Sequence, residues 1–240
     1  MNSIRKASSS SNIGGPGLYV SRVREILQKV PERCLESFLG GMMGEIRGLK
    51  GVTLLEAWFG GDSLESRITL RFLLTNKLVT LRRTPLYGIW SLVTFLSKQK
   101  QRSHLLDMAM ACVGAFEEPE VSGNSDPIIH AQVVSALTLA LSHIKEIELQ
   151  SHSGLMHGLI SGVQAHMGSS LDSSRQLGMR VAYAMSLILS PGEPVDFGSA
   201  MDHVNIAWCE LDEDEDEEDE REGMTDSGGE KVKGSMRRAL

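Results

Sequence analysis

Aromatic residues are scarce: Phe, Trp and Tyr make up 5% of the 240 residues. Strands favour aromatic and β-branched side chains, so this scarcity, beside twelve Met and plentiful Leu, argues for helices. Only three cysteines occur, Cys34, Cys112 and Cys209, and none forms a CxxC pair. So odd and scattered a set argues against a disulfide framework and makes a reducing compartment the default. Apolar stretches are broken well before the roughly 18 residues a membrane-crossing helix needs, so none is expected. The Ser/Gly-rich start lacks the apolar core of a secretory signal. A soluble intracellular chain is the expectation.

Acidic residues are missing from one stretch and crowded into another. Between Ser66 and Leu106 there are eight bases and no Asp or Glu. Residues 210–222 carry eleven acids and one Arg, whereas residues 1–209 hold 19 bases and 18 acids. The formal charge of −7 therefore belongs to an appendage on a nearly neutral body. That balance argues against a strongly cationic nucleic-acid binder for the chain as a whole.

Residues 1–17 read as disordered: four serines in a row, then GGPG, with no apolar periodicity. From residue 18 the helical period takes over, with Tyr19, Val23, Ile26, Leu27 and Val30 on one stripe. Pro31 opens a second stripe through Leu35, Phe38, Leu39, Met42, Met43 and Ile46, which Gly40 and Gly41 should weaken by roughly 1 kcal/mol each. Gly40, Gly44 and Gly48 recur every four residues, as in close helix packing. Asp62 and Glu65 resemble a capping box before Leu64, Ile68, Phe72 and Leu78. Thr84-Pro85, Ser103, Asp126-Pro127, Ser153 and Ser173 then each precede a helical stripe. About eight helices follow one another to the stop at Pro191–Pro194, with no period-2 strand. The expected fold is all-α: an α-solenoid of HEAT-like antiparallel helix pairs over 18–197, with a disordered acidic tail over 198–240. In the turn 171–175, Asp172 is expected to satisfy free backbone N–H groups and Arg175 to bridge to the neighbouring repeat.

No catalytic constellation can be assembled. There is no GxxxxGK[ST], GxGxxG or GxSxG; Gly158-Leu159-Ile160-Ser161-Gly162 misplaces its serine. The histidines form no HxxxH or HExxH, and His152 and His157, five apart, do not share a helix face. Cys112 falls on an apolar stripe and reads as a small core residue. Neither an enzyme nor a cofactor is expected.

Two charged features remain. Arg67, Arg71, Lys77, Arg82 and Arg83 offer a basic face for phosphate, nucleic acid or an acidic segment, unless counter-charges elsewhere in the fold occupy them. The aromatics nearby, Phe72 among them, fall on apolar stripes and are not free for base stacking. The acidic run Glu210, Asp212, Glu213, Asp214, Glu215, Asp216, Glu217, Glu218, Asp219 and Glu220 cannot pack, and reads as a solvating linker or a charged docking segment. Beyond it Ser227, with Glu230 three residues on, is a minimal site for an acid-directed kinase.

Longer motifs carry a resemblance. Gly158-Leu159-Ile160-Ser161-Gly162-Val163, followed by Ser169-Ser170-Leu171-Asp172-Ser173-Ser174-Arg175-Gln176-Leu177-Gly178-Met179-Arg180-Val181-Ala182, resembles the telomere length regulation protein family. Val30-Pro31-Glu32-Arg33-Cys34-Leu35-Glu36, Thr75-Asn76-Lys77-Leu78 and the exit Gly192-Glu193-Pro194-Val195-Asp196-Phe197 fit it in the same order. The resemblance implies a non-enzymatic α-solenoid adaptor in the cytoplasm and nucleus. With two complex partners, such an adaptor escorts phosphatidylinositol 3-kinase-related kinases to the heat-shock chaperone machinery, serving telomere maintenance, DNA-damage checkpoints and growth signalling. Members of the family are far longer, so this chain is expected to be a part of such a protein. The family's linker serines, set among Asp residues, have no counterpart within 212–220. The alternative is a nucleic-acid-binding helical module that uses the basic 66–106 segment.

Overall fold

The computed structural model describes residues 16–60, 67–117 and 126–198, all within one compact unit, Met1–Val204. A second unit, Asn205–Leu240, lies outside them, as do nearly all of the expected acidic tail and most of the expected disordered start. Among the described residues every regular element is helical: α1 (Pro16–Lys29), α2 (Glu32–Met43), α3 (Gly48–Phe59), α4 (Ile68–Phe72), a π-helical turn (Leu73–Lys77), α5 (Leu78–Thr80), α6 (Leu86–Leu96), a 3-10 turn (Gln99–Gln101), α7 (Arg102–Glu117), α8 (Pro127–His143), α9 (Glu146–Ser151), α10 (Ser153–Met167) and α11 (Asp172–Leu189).

The helices stack in two rows. In one, α3 packs on α6, α6 on α8 and α8 on α11. In the other, the π-turn packs on α7 and α7 on α10. Consecutive members close the rows against each other, α7 with α8 and α10 with α11. This is an all-α solenoid of the ARM/HEAT type, in which each pair buries its apolar stripe on its neighbours because it cannot do so alone. One continuous core runs through it, from Leu35 and Leu39 through Leu74, Ile89 and Leu105 to Leu159 and Val181. Each large aliphatic side chain in it contributes about 1.5–3 kcal/mol of burial.

Several local expectations are corrected. α3 was not expected, although Val52, Leu55 and Phe59 mark its buried stripe. Its start is Gly48, whose φ of 52° suits a residue without Cβ. Gly44 caps α2 and Gly48 opens α3, so Gly40, Gly44 and Gly48 do not share one helix. Gly40 instead makes room for Arg82: a Cβ there would lie 2.7 Å from the guanidinium carbon. The Asp62–Glu65 capping box lies outside the described residues. Beyond it, Ile68 and Phe72 are 73% and 48% exposed, not buried. The buried row is Leu70, Leu74 and Leu78, a helical four-residue step two positions out of phase with Ile68 and Phe72.

Thr84 does not cap α6 either. Pro85 holds the cap position without a side-chain bond, and the Thr84 hydroxyl turns inward to donate to the Leu78 carbonyl at 2.6 Å. Asp126 caps as expected, accepting from the Ile128 N–H at 3.0 Å ahead of Pro127. The short α9 was not expected; it opens with Glu148 accepting from the Lys145 backbone N–H at 2.9 Å.

The inward turn of Thr84 belongs to a larger arrangement. α5 ends at Thr80, and after the Leu81 N–H, which still donates to the Lys77 carbonyl, the chain turns back into α6 through a stretch outside any helix ladder. Gln132, on α8 and 4% exposed, supplies partners for the polar groups there. Its Oε1 accepts from the Thr84 N–H at 2.8 Å, and its Nε2 donates to the carbonyls of Val79 and Arg82, each at 2.8 Å. One amide thus satisfies a turn some 50 residues away in sequence and ties it to α8. Leu in place of Gln132 keeps the volume and removes every bond. Because buried groups left unpaired cost about 1–3 kcal/mol each, Gln132→Leu is expected to lower stability by about 2–5 kcal/mol. Urea unfolding of the two proteins measures the difference, and equal midpoints would show that the turn holds itself.

Candidate functional site

The five candidate bases come from one segment but do not form one face. Arg67 donates to the Leu27 carbonyl at 2.8 Å, closing the last turn of α1. Lys77 pairs with Glu36 at 3.2 Å, and Arg82 reaches the Glu36 carbonyl at 3.4 Å. Arg83 forks onto Asp126, Nε at 2.6 Å and Nη2 at 2.5 Å from Oδ2, holding the start of α8. That contact and the Ile128 N–H keep the Asp126 carboxyl below the usual carboxylate range. Farther on, Lys98 pairs with Glu56 at 2.5 Å. Among the described residues, the Arg71 side chain alone of the five meets no carboxylate or carbonyl. The stretch without acids is therefore a run of links to acids and carbonyls on other helices. Sequence spacing could not show this, since the partners lie about 40 residues away.

The same device holds the next repeat. Arg102, opening α7, donates Nε to Glu148 Oε1 at 2.7 Å and Nη2 to Glu148 Oε2 and to the His143 carbonyl. This fork and the Lys145 N–H lower the Glu148 pKa to about 2. By contrast, Arg175 does not bridge repeats as expected. It pairs with Asp172 one turn away and donates to the Ser169 carbonyl at 2.7 Å, bracing its own turn. Asp172, already inside α11, makes no capping bond, because the cap position falls to Leu171.

The α7–α10 contact is close. A Cβ on Gly158 would lie 2.3 Å from Val113 Cγ1, and one on Gly162 would lie 2.4 Å from Phe116 Cδ1. Phe116 stacks on His166, ring centres 4.1 Å apart. His166, 1% exposed, sets its Nδ1 2.8 Å from the Gly162 carbonyl and its Nε2 2.7 Å from His130 Nε2. Donation from Nδ1 leaves Nε2 of His166 to accept, so the two rings share one proton end to end as neutral groups. Burial lowers the pKa of both. The pair was missed because its members lie 36 residues apart.

Little here can do covalent chemistry. Cys112 is fully buried, and burial pushes its thiol up to about 12, so it is a core residue. Among the described residues no three His, Cys, Asp or Glu side chains gather as a metal site would require. No described helix is long and apolar enough to cross a membrane. What the fold offers is surface.

The sequence that builds these stacked helices matches a known domain. The sequence model of the TELO2 ARM repeat domain covers residues 32–208. This chain belongs to that family. The telomere length regulation protein TEL2 homolog of Homo sapiens is 28% identical over 192 residues, which cover 75% of this chain and 22% of that protein. The homologs of Mus musculus, 28% identical over 180 residues, and Xenopus tropicalis, 27% over 173, are similar in extent. This chain spans about a fifth of the length of these relatives. No solved structure matches it.

The TELO2 ARM repeat match takes in α2 to α11 and ends before the acidic run. That run, Glu210, Asp212–Glu220, and Ser227 lie outside the described residues. Within the domain, the buried neutral histidines set a pH response. Unfolded histidine titrates near 6.5; in the folded protein His130, His143 and His166 hold their protons less tightly. Below about pH 6.5 the unfolded chain binds the extra protons, so stability falls with pH. Glu148, low in the fold, adds a second loss only from about pH 4.5 down towards 2. Denaturant midpoints are expected to be level from pH 8 to 7 and to drop between 6.5 and 5. A midpoint constant to pH 5 would contradict the neutral pair.

Proposed function

We propose that this chain is a non-enzymatic scaffold segment that helps stabilise and assemble phosphatidylinositol 3-kinase-related kinases with the heat-shock chaperone machinery and two complex partners. The observation that carries the reading is membership of the TELO2 ARM repeat domain family, whose relatives are named for telomere length regulation. The solenoid supports it, because stacked helix pairs present broad surface for protein docking. Such work places the chain in cytoplasm and nucleus and connects it to DNA-damage and growth signalling. In this reading the acidic run Glu210–Glu222 is a charged docking segment, and phosphate on Ser227 deepens its field for Lys or Arg on a partner. Repeat-turn residues such as Asp172 and Arg175 hold the scaffold rather than meet the partner.

The nucleic-acid reading draws less support. Of its five bases, four are committed to acids or carbonyls within the fold, which leaves few charges to neutralise phosphates. A tagged copy of this chain, recovered from cells, is expected to bring down kinases of this class together with chaperone subunits. Recovery of neither, also when the segment sits in its full-length setting, would contradict the scaffold reading.

A further inference from the structure

Arg71 stands apart from the rest of its basic segment. Its neighbours in sequence are the exposed Ile68 and Phe72, and across from them lies Met110 of α7, 41% exposed. These residues, with Thr75, Asn76 and Asp107, line a groove of about 280 Å³ between α4 with its π-turn and α7. The groove lies open to solvent along Ile68, so it does not enclose a small molecule, and its volume falls below the roughly 300–1,000 Å³ of such sites.

Three observations meet there. Large apolar side chains are left out of the core although the same helix buries Leu70, Leu73, Leu74 and Leu78. The backbone departs from α-geometry at Leu73–Lys77, and such π-turns recur at functional sites. Arg71, which has neither a carboxylate nor a carbonyl partner for its side chain among the described residues, sits on one wall, while Asp107, its side chain 53% exposed and 3.6 Å from His104 Nδ1, sits on the other. The groove is thus lined by exposed apolar side chains, with positive charge on the α4 side and negative charge on the α7 side. We infer that it docks an amphipathic helix of a protein partner, with apolar residues on Ile68, Phe72 and Met110, a carboxylate towards Arg71 and a base towards Asp107. A helix suits it because one helix face carries apolar residues at three- and four-residue steps with charges flanking them. The surface rests on the scaffold reading and names one place where that scaffold meets a partner.

The test uses the full chain and a displayed library of helical peptides, about 18 residues long, with fixed leucines on one face and randomised flanks. Peptides enriched on the natural protein are expected to carry Asp or Glu beside one end of the leucine stripe. They should bind Phe72→Ala and Arg71→Glu about tenfold or more weakly. Lys in place of that acid should restore binding to Arg71→Glu. Ile68→Ser provides a second apolar variant, and melting curves for all three should match the natural protein, since Ile68 and Phe72 are exposed and the half-buried Arg71 side chain holds no bond among the described residues. Enriched peptides indifferent to all three substitutions, or with Lys or Arg where the acid should stand, would overturn the proposal. So would a single-stranded oligonucleotide whose binding depends on Arg71, or self-association abolished by Phe72→Ala, which assign the groove to nucleic acid or a second copy. If peptides fail while kinases still co-purify with the chain, the groove falls and the scaffold reading stands.

Discussion

A solenoid is held between neighbours, and the tightest such constraint here is one buried amide. Gln132 fills the point where α5 stops and the chain must reverse into α6, taking the Thr84 N–H and giving to the carbonyls of Val79 and Arg82. Without it, the turn would bury polar groups that no helix ladder can reach. With it, the turn is fixed to α8, and α8 packs on α6, α7 and α11. The amide therefore fixes where the chain leaves α5 and how it turns into α6.

Around that point the charges work between repeats. Arg67, Lys77, Arg82, Arg83 and Arg102 each cross from one helix to a partner 40 or more residues away. An exposed pair such as Lys77–Glu36 contributes little, about 0–1 kcal/mol, so it positions helices rather than holds the fold. The core and the glycine contacts supply the stability. At Gly158 and Gly162 the absence of a Cβ lets α10 settle onto Val113 and Phe116, and at Gly178 it lets α11 approach His166.

Much of this was legible in the sequence. The all-α solenoid follows from successive 3.6-residue stripes with caps and prolines between them, and the Asp126-Pro127 start reads directly. The motif around Gly158 and Gly178 pointed to the family, and the structure gives its glycines a packing reason. The failures share a cause. The stripe through Ile68 and Phe72 shares its short helix with the row through Leu70 and Leu74, and packing on α7, distant in sequence, decides which row is buried. Thr84 and Arg175 carry the composition of caps and bridges, but partners distant in sequence, or close in the same turn, claimed them. The charge on residues 66–106 could not be read as a face, because its acids stand on other helices.

The described residues offer broad helical surface, and the turn between α5 and α6 is placed by the Gln132 constraint. Native-state hydrogen exchange at the Thr84 amide tests this most directly, since its acceptor is a side chain of another repeat. The account predicts that this amide exchanges as slowly as the core of α8, with the same opening free energy. A Thr84 amide that exchanges freely while α8 stays protected would contradict it.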